Sequence, residues 1–197
     1  MLLERITAQR GTQDMARKET ITKQDILNAA FEMARSEGAS QISARTLAAK
    51  AGCSTQPIFR VYKNMDEVVG EVFFSAIKYF ESYYIAFPSA SDTPFVNMGL
   101  AYIRFAQEES HLFRLLFLSE KRYGKSLYDI LNGSSVAIVK EINKAKIYGC
   151  QNPSGMFMKM WIFIHGAASM ALTGDYDLQK DETIGVLEQS YNAFQNM

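Results

Sequence analysis

Ser43-Ala44-Arg45-Thr46-Leu47-Ala48-Ala49-Lys50-Ala51-Gly52-Cys53-Ser54-Thr55-Gln56-Pro57-Ile58-Phe59-Arg60-Val61-Tyr62-Lys63 is the stretch that decides the fold. Ser43 can cap a short helix whose apolar side is Leu47, Ala48 and Ala51. Gly52-Cys53-Ser54 makes a tight turn, and a second short helix starts at once. Ser54 can cap that helix, and Pro57 falls in its first turn, where a missing N–H costs little. Two short helices joined by about 3–4 turn residues, often with a glycine, form a helix-turn-helix. The second helix of such a unit can lie in the major groove of DNA and offer side chains to base edges.

The second helix has two sides. Ile58 and Tyr62 are four apart, share a face and predict an anchor to the core. Thr55, Gln56, Arg60 and Lys63 are left exposed. Gln can pair with adenine, Arg with guanine or phosphate, and Thr with either class of partner. An ordinary helical hairpin with a polar surface gives the same local pattern, so the flanks matter. Upstream, Thr22-Lys23-Gln24-Asp25 opens a helix with an N-cap and an acidic first turn. Its apolar stripe is Ile26, Leu27, Ala30, Met33 and Ala34, and Gly38 stops it. Downstream, Asp66 can cap a long helix running to about Phe87.

Residues 22–70 resemble the DNA-binding domain of the TetR family of transcriptional regulators. The resemblance rests on Ile26-Leu27-Asn28-Ala29-Ala30 with Gly38, then Leu47-Ala48 with Gly52-Cys53-Ser54. Ile58-Phe59 and Tyr62-Lys63-Asn64 with Asp66-Glu67 complete it. It implies DNA contacts from Ser43, Ala44 and Arg45, from Ser54, Thr55, Gln56, Phe59 and Val61, and from Lys63 and Met65. Phe59 stands where the family usually has tyrosine, and Val61 and Met65 replace residues that are often polar or basic. With Arg60 added from the polar face, the DNA-binding candidates are Ser43, Arg45, Ser54, Thr55, Gln56, Phe59, Arg60 and Lys63.

Charge fits this division. Residues 1–65 hold ten Lys and Arg against six Asp and Glu, a net +4, and the remainder carries −4. A basic N-terminal third suits a polyanion. Met15-Ala16-Arg17-Lys18 looks like the usual opening of such a regulator, so Met15 is a candidate start. Alternatively residues 1–21 form an extension. Arg5, Arg10, Arg17, Lys18 and Lys23 then make either a basic arm for phosphate or minor groove, or a solvated tail. Two cysteines, Cys53 and Cys150, are too few for a disulfide scaffold. No segment reads as an uninterrupted membrane-spanning run or a secretory leader, which predicts a cytoplasmic protein with no membrane partner.

The rest of the chain reads as helices broken by turns, without strand alternation: an all-α fold. The domains divide as 22–67 for DNA binding and 68–197 for effector binding and dimerisation. Pro88 to Pro94 breaks the long helix, with Asp92 as the cap of the next one, Phe95 to about Glu109. His111–Leu118, Gly124–Leu131, Ser134–Tyr148, Asn152 to about Leu172, and Glu182–Phe194 follow. Asn132-Gly133-Ser134 reads as a turn.

Trp161, His165 and Gly166 resemble the tryptophan–histidine–glycine signature of one C-terminal domain class in this family. The resemblance implies that the last two helices build a four-helix bundle across a two-fold axis, through Gly166, Ala167, Met170, Leu187 and Tyr191. A tight contact within one chain also explains a glycine amid Ala167, Ala168 and Ala171. Phe105, Phe113, Phe117, Met156, Met160 and Trp161 line an apolar pocket or are packed core, and Tyr102 and His165 are polar groups that can orient a ligand. Arg104 and Arg114 read as surface or interhelix pairs. No cofactor or metal is expected: two histidines without a cysteine pair make no metal site.

The expectation is a homodimeric, ligand-responsive repressor that binds double-stranded DNA at a palindromic operator and is released by a small apolar effector. The alternative is a helical ligand-binding or interaction protein with a degenerate helix-turn-helix. An enzyme is disfavoured, because no nucleophile–base pair or metal set is visible.

Overall fold

The computed structural model describes residues 21–195, and all regular secondary structure among them is helical. The proposed arm at Arg5, Arg10, Arg17 and Lys18, and the candidate start at Met15, lie outside the described residues. Lys23 does not stay free: it ion-pairs with Glu71 and lies 4.7 Å from the Tyr62 ring centroid.

Helix α1 (Lys23–Ser36) begins with a capping box. The Thr22 hydroxyl accepts from the Asp25 N–H at 3.1 Å, and the Asp25 carboxylate accepts from the Thr22 N–H at 2.8 Å. Helix α2 (Ala44–Lys50) is capped the same way by Ser43 and Thr46. Gly52 turns the chain at φ 66°, a left-handed value that favours glycine, and α3 (Gln56–Val61) follows. Ser54 is not its cap. Thr55 takes that position with helical angles, and no side chain bonds the first turn. Pro57 already lacks one of the N–H groups that would need a partner.

Helix α4 (Met65–Ala86) is capped by Asn64, whose side chain accepts from the Glu67 N–H, and not by Asp66. Asp66 instead ion-pairs with Lys121 and accepts a hydrogen bond from the Tyr123 hydroxyl. At 22 residues α4 is about 33 Å long and runs unbroken from the N-terminal helices into the C-terminal ones. Ile26, Ala30, Leu47, Ile58, Tyr62 and Val68 are buried in one core beneath α1–α3.

The C-terminal region is built on α5 (Val96–Glu108). Asp92 does not cap it: Phe95 precedes the helix at φ 65°, and its N–H donates to Glu141. Helix α6 (Ser110–Phe113) continues as a π-helical turn over Arg114–Leu118. Helix α7 (Leu127–Asn132) is capped by Ser126, and α8 (Ala137–Ile147) follows a turn in which Gly133 has φ 53°. Helix α9 (Pro153–Thr173) is capped by Asn152, and α10 spans Lys180–Gln195, two residues earlier than Glu182. The α9 helix packs along α5, and α10 packs on both. Gly99 permits this closeness, since a Cβ there would lie 2.9 Å from Ile164 Cδ1 and 3.1 Å from Leu187 Cδ1. By length and composition α9 is apolar enough to cross a membrane, contrary to the expectation from sequence. Its Met156, Met160 and Ile164 are core here.

Glu109, at the α5–α6 junction, ties the two regions together. It is buried, and it accepts from Arg35 Nε at 3.0 and 2.8 Å, from Arg35 Nη2 at 2.5 Å and from the Tyr79 hydroxyl at 2.8 Å. Glu109→Ala removes the acceptor for α1 and α4 together. The expected loss is about 2–3 kcal/mol of unfolding free energy, as hydrogen bonds to charged groups are the strong ones. Urea denaturation reads it as a lower midpoint at unchanged slope. An unchanged midpoint would mean that the contact contributes nothing.

Candidate functional site

Ser43, Arg45, Ser54, Thr55, Gln56, Phe59, Arg60 and Lys63 are all exposed, so none of the DNA-binding candidates is consumed by the core. Ala44, Val61 and Met65 are half-buried. The division of α3 comes from its anchors. Ile58 and Tyr62 are buried, and the Tyr62 hydroxyl donates to Glu71 on α4 at 2.9 Å. Burial, then the Glu71 hydrogen bond, raises the Tyr62 phenol, so it stays a neutral donor. Glu71 thereby holds α3 through Tyr62 and α1 through Lys23.

Arg45, Arg60 and Lys63 take part in none of the ion pairs between described residues. Unpaired cations beside a polar helix face are the electrostatic form of a phosphate-contacting surface. Phe59 is 51% exposed with no polar tip, so it offers apolar contact and no hydrogen bond. The Ser43 hydroxyl is occupied in the α2 capping box, which leaves it less free for an outside partner. Lys50, at the end of α2, is a further exposed cation that the sequence reading passed over.

The effector candidates converge on Tyr102. Its ring centroid lies 4.9 Å from Phe113, 4.8 Å from Phe117 and 4.8 Å from Trp161, all tilted edge to face. Phe105 joins through Phe80, at 5.0 Å. Inside this apolar cluster the Tyr102 hydroxyl and His165 Nδ1 are 3.0 Å apart. Tyr102, Phe105, Phe113, Phe117, Met156 and Met160 are buried, while Trp161 and His165 are partly exposed. The side chains touch one another, and the larger clefts open elsewhere. One of about 770 Å³ lies between α5, the 174–179 connection and α10. Another of about 560 Å³ lies between α9, the same connection and Val186. Met156 lines a smaller cleft of about 230 Å³ beside Cys150 and Phe194.

The interface candidates separate. Leu187 and Tyr191 are each 1% exposed and turn inward within the chain. Ala167 is also buried. Gly166 is exposed, and a Cβ on it would meet nothing within 4 Å, which rules out a tight contact within the chain. Met158, Ile162, Gly166 and Met170, four apart along α9, form an exposed small and apolar stripe, with Ile162 66% exposed. The two arginines behave as expected from sequence: Arg104 pairs with Glu108, and Arg114 reaches the Leu172 carbonyl at 3.4 Å.

Residues 95–189 match the family model described as Tetracyclin repressor-like, C-terminal domain. The fold resembles a solved TetR family protein from Vibrio parahaemolyticus with a TM-score of 0.64, at 18% identity, over 87% of this chain and 97% of that one. A search among curated proteins finds no match. The family match covers the C-terminal region of the chain, and the likeness to the solved structure is one of fold.

His165 gives this cluster a pH signature. Burial holds its imidazole below the ordinary value of 6.5. The unfolded chain then takes up a proton that the native chain refuses, so stability falls as pH drops through that value. Wild type should lose stability faster than His165→Gln between about pH 7.5 and 5.5 in paired urea titrations. Parallel losses would show that His165 does not carry the slope.

Proposed function

We propose that this chain is a homodimeric, ligand-responsive transcriptional repressor, cytoplasmic and free of membranes, that binds a palindromic operator. A small, mostly apolar molecule releases it. The observation that carries the reading is the division of α3: Ile58 and Tyr62 lock one side into the core, while Thr55, Gln56 and Arg60 are presented outward beside Lys63. A surface helix so held can read a major groove, with Gln56 on base edges and Arg45 and Lys63 on phosphates. A dimer places two such helices about 34–36 Å apart, one turn of DNA, and so reads a palindrome.

The α9 stripe around Gly166 supports the dimer, because small residues let two helices approach closely. Trp161, His165 and Gly166 together favour the tryptophan–histidine–glycine class of C-terminal domain. The Tyr102–His165 pair inside an aromatic cluster suits a ligand that is mostly apolar with a polar handle. Entry there must part side chains that now touch, so binding and rearrangement become one event. Two routes lead from the cluster to α3: along α4, and through Glu109 to Arg35 on α1. An effector that prefers a conformation with the two α3 helices misplaced weakens DNA binding by the same coupling free energy. The alternative, an interaction protein with a degenerate helix-turn-helix, is favoured by Phe59, Val61 and Met65, which replace polar contacts.

Selection from a random DNA pool with the folded, ligand-free protein separates the two readings. A repressor should enrich a palindrome and bind it at about 10⁻⁸–10⁻¹¹ M. Gln56→Ala should relax sequence preference at a cost of about 1–3 kcal/mol, and Lys63→Ala should weaken all sites and reduce the salt slope by about 1. Absence of any enriched sequence would leave the interaction-protein reading.

Gly166→Leu tests the dimer, since a Cβ at Gly166 meets no described atom within 4 Å outside its own helix backbone and chain neighbours. The expected outcome is an unchanged circular dichroism spectrum with dimer lost in sedimentation at low micromolar concentration. A variant that remains dimeric would place the interface elsewhere.

A further inference from the structure

Glu141, on α8, is 9% exposed, yet it takes part in none of the ion pairs between described residues. Its Oε2 accepts the Phe95 N–H at the start of α5. The partial positive charge of a helix N-terminus attracts a carboxylate. That cap uses one oxygen. Glu141 belongs to the lining of a cleft of about 310 Å³ between the end of α4, the chain after it and α8. Tyr84, Ile85 and Phe87 supply its apolar wall.

We propose that this cleft binds a small ligand with an ammonium group on an aromatic body, with Glu141 as its counter-charge. A buried carboxylate without a cation is costly, and an incoming ammonium group removes that cost. Lys140 also lines the cleft, but it is exposed and makes no ion pair with the described residues. The rings of Tyr84 and Phe87 favour a cation over a neutral group. Tyr84 remains a neutral phenol, pushed up to about 12 by burial and then by the Glu141 charge. At 310 Å³ the cleft sits at the small end of the range of about 300–1,000 Å³ for ligand sites, which suits one ring and a short chain.

The walls are held in place. Asn97 accepts from the N–H groups of Ala90 and Ser91 at 2.8 and 3.1 Å and donates to Ser89 Oγ and the Ser91 carbonyl at 3.1 and 2.6 Å. Across the cleft, Glu81 accepts from the Ser134 hydroxyl and the Ser135 N–H, each at 2.6 Å. The site is separate from the cluster around Tyr102, and it does not depend on the chain binding DNA.

The test titrates benzylammonium and its neutral isostere, benzyl alcohol, into the full chain and follows backbone amide shifts. The expected result is saturable millimolar binding of benzylammonium, with shifts centred on Phe95 and Ser135. Benzyl alcohol should bind at least about tenfold more weakly, the ratio a modest charge interaction supplies. Glu141→Gln keeps an acceptor for the Phe95 N–H and removes the charge, so benzylammonium should bind it at least about tenfold more weakly. Ile85→Arg, at an exposed lining position where folding is indifferent, should abolish binding by placing a competing cation at the carboxylate. The proposal is overturned by equal affinity for the two probes, by no benzylammonium binding, by shifts centred on Tyr102 and His165, or by full binding to Ile85→Arg.

Discussion

Glu109 sits where α5 ends and α6 begins, and it accepts from Arg35 on α1 and Tyr79 on α4 at once. A buried carboxylate must be satisfied somewhere, and here its donors come from the N-terminal helices and from the long connecting helix. The Arg35 guanidinium also lies 5.0 Å from the Tyr79 ring centroid, which adds a cation–π component to the same contact. Three helices therefore share one electrostatic node. Displacing the α5–α6 junction breaks charge-assisted bonds to α1, so the position of the junction and the position of α1 are not independent.

Around that node the C-terminal region is organised by α5. Gly99 lets α9 and α10 come close enough for Ile164 and Leu187 to cover it. Once Leu187 and Tyr191 are turned toward α5, the outer side of α9 is left with Met158, Ile162, Gly166 and Met170. The same inward turn brings Trp161 and His165 against Tyr102. The exposed stripe and the aromatic cluster are thus two faces of one helix, and a movement of α9 that opens one must shift the other.

Most helices were legible because their signals are local. Thr22 with Asp25, and Ser43 with Thr46, are capping pairs three residues apart. The stripe of Ile26, Ala30, Met33 and Ala34 is a helical period and is buried as such. Caps failed where several candidates lay within a few residues. Asn64 won over Asp66, which pairs with Lys121 instead, and Asp92 lost to a cap supplied from α8 by Glu141. The exposed face of α3 was legible for the same reason as α1: Ile58 and Tyr62, four apart, name the buried side and leave the other to Gln56 and Arg60.

The sequence by itself determined the order of the helices, the helix-turn-helix and the side chains that α3 offers to solvent, because these depend on interactions spanning three or four residues. Only the tertiary structure decided that Leu187 and Tyr191 are core, that a Cβ at Gly166 would have open space, and that Glu109 and Glu141 serve distant helices. Arg35 and Glu109 are 74 residues apart, and Phe95 and Glu141 are 46 apart. No local period marks one acidic residue among 21 as the partner of a distant donor. That choice is made by which helices pack together, and packing depends on shape across the whole core.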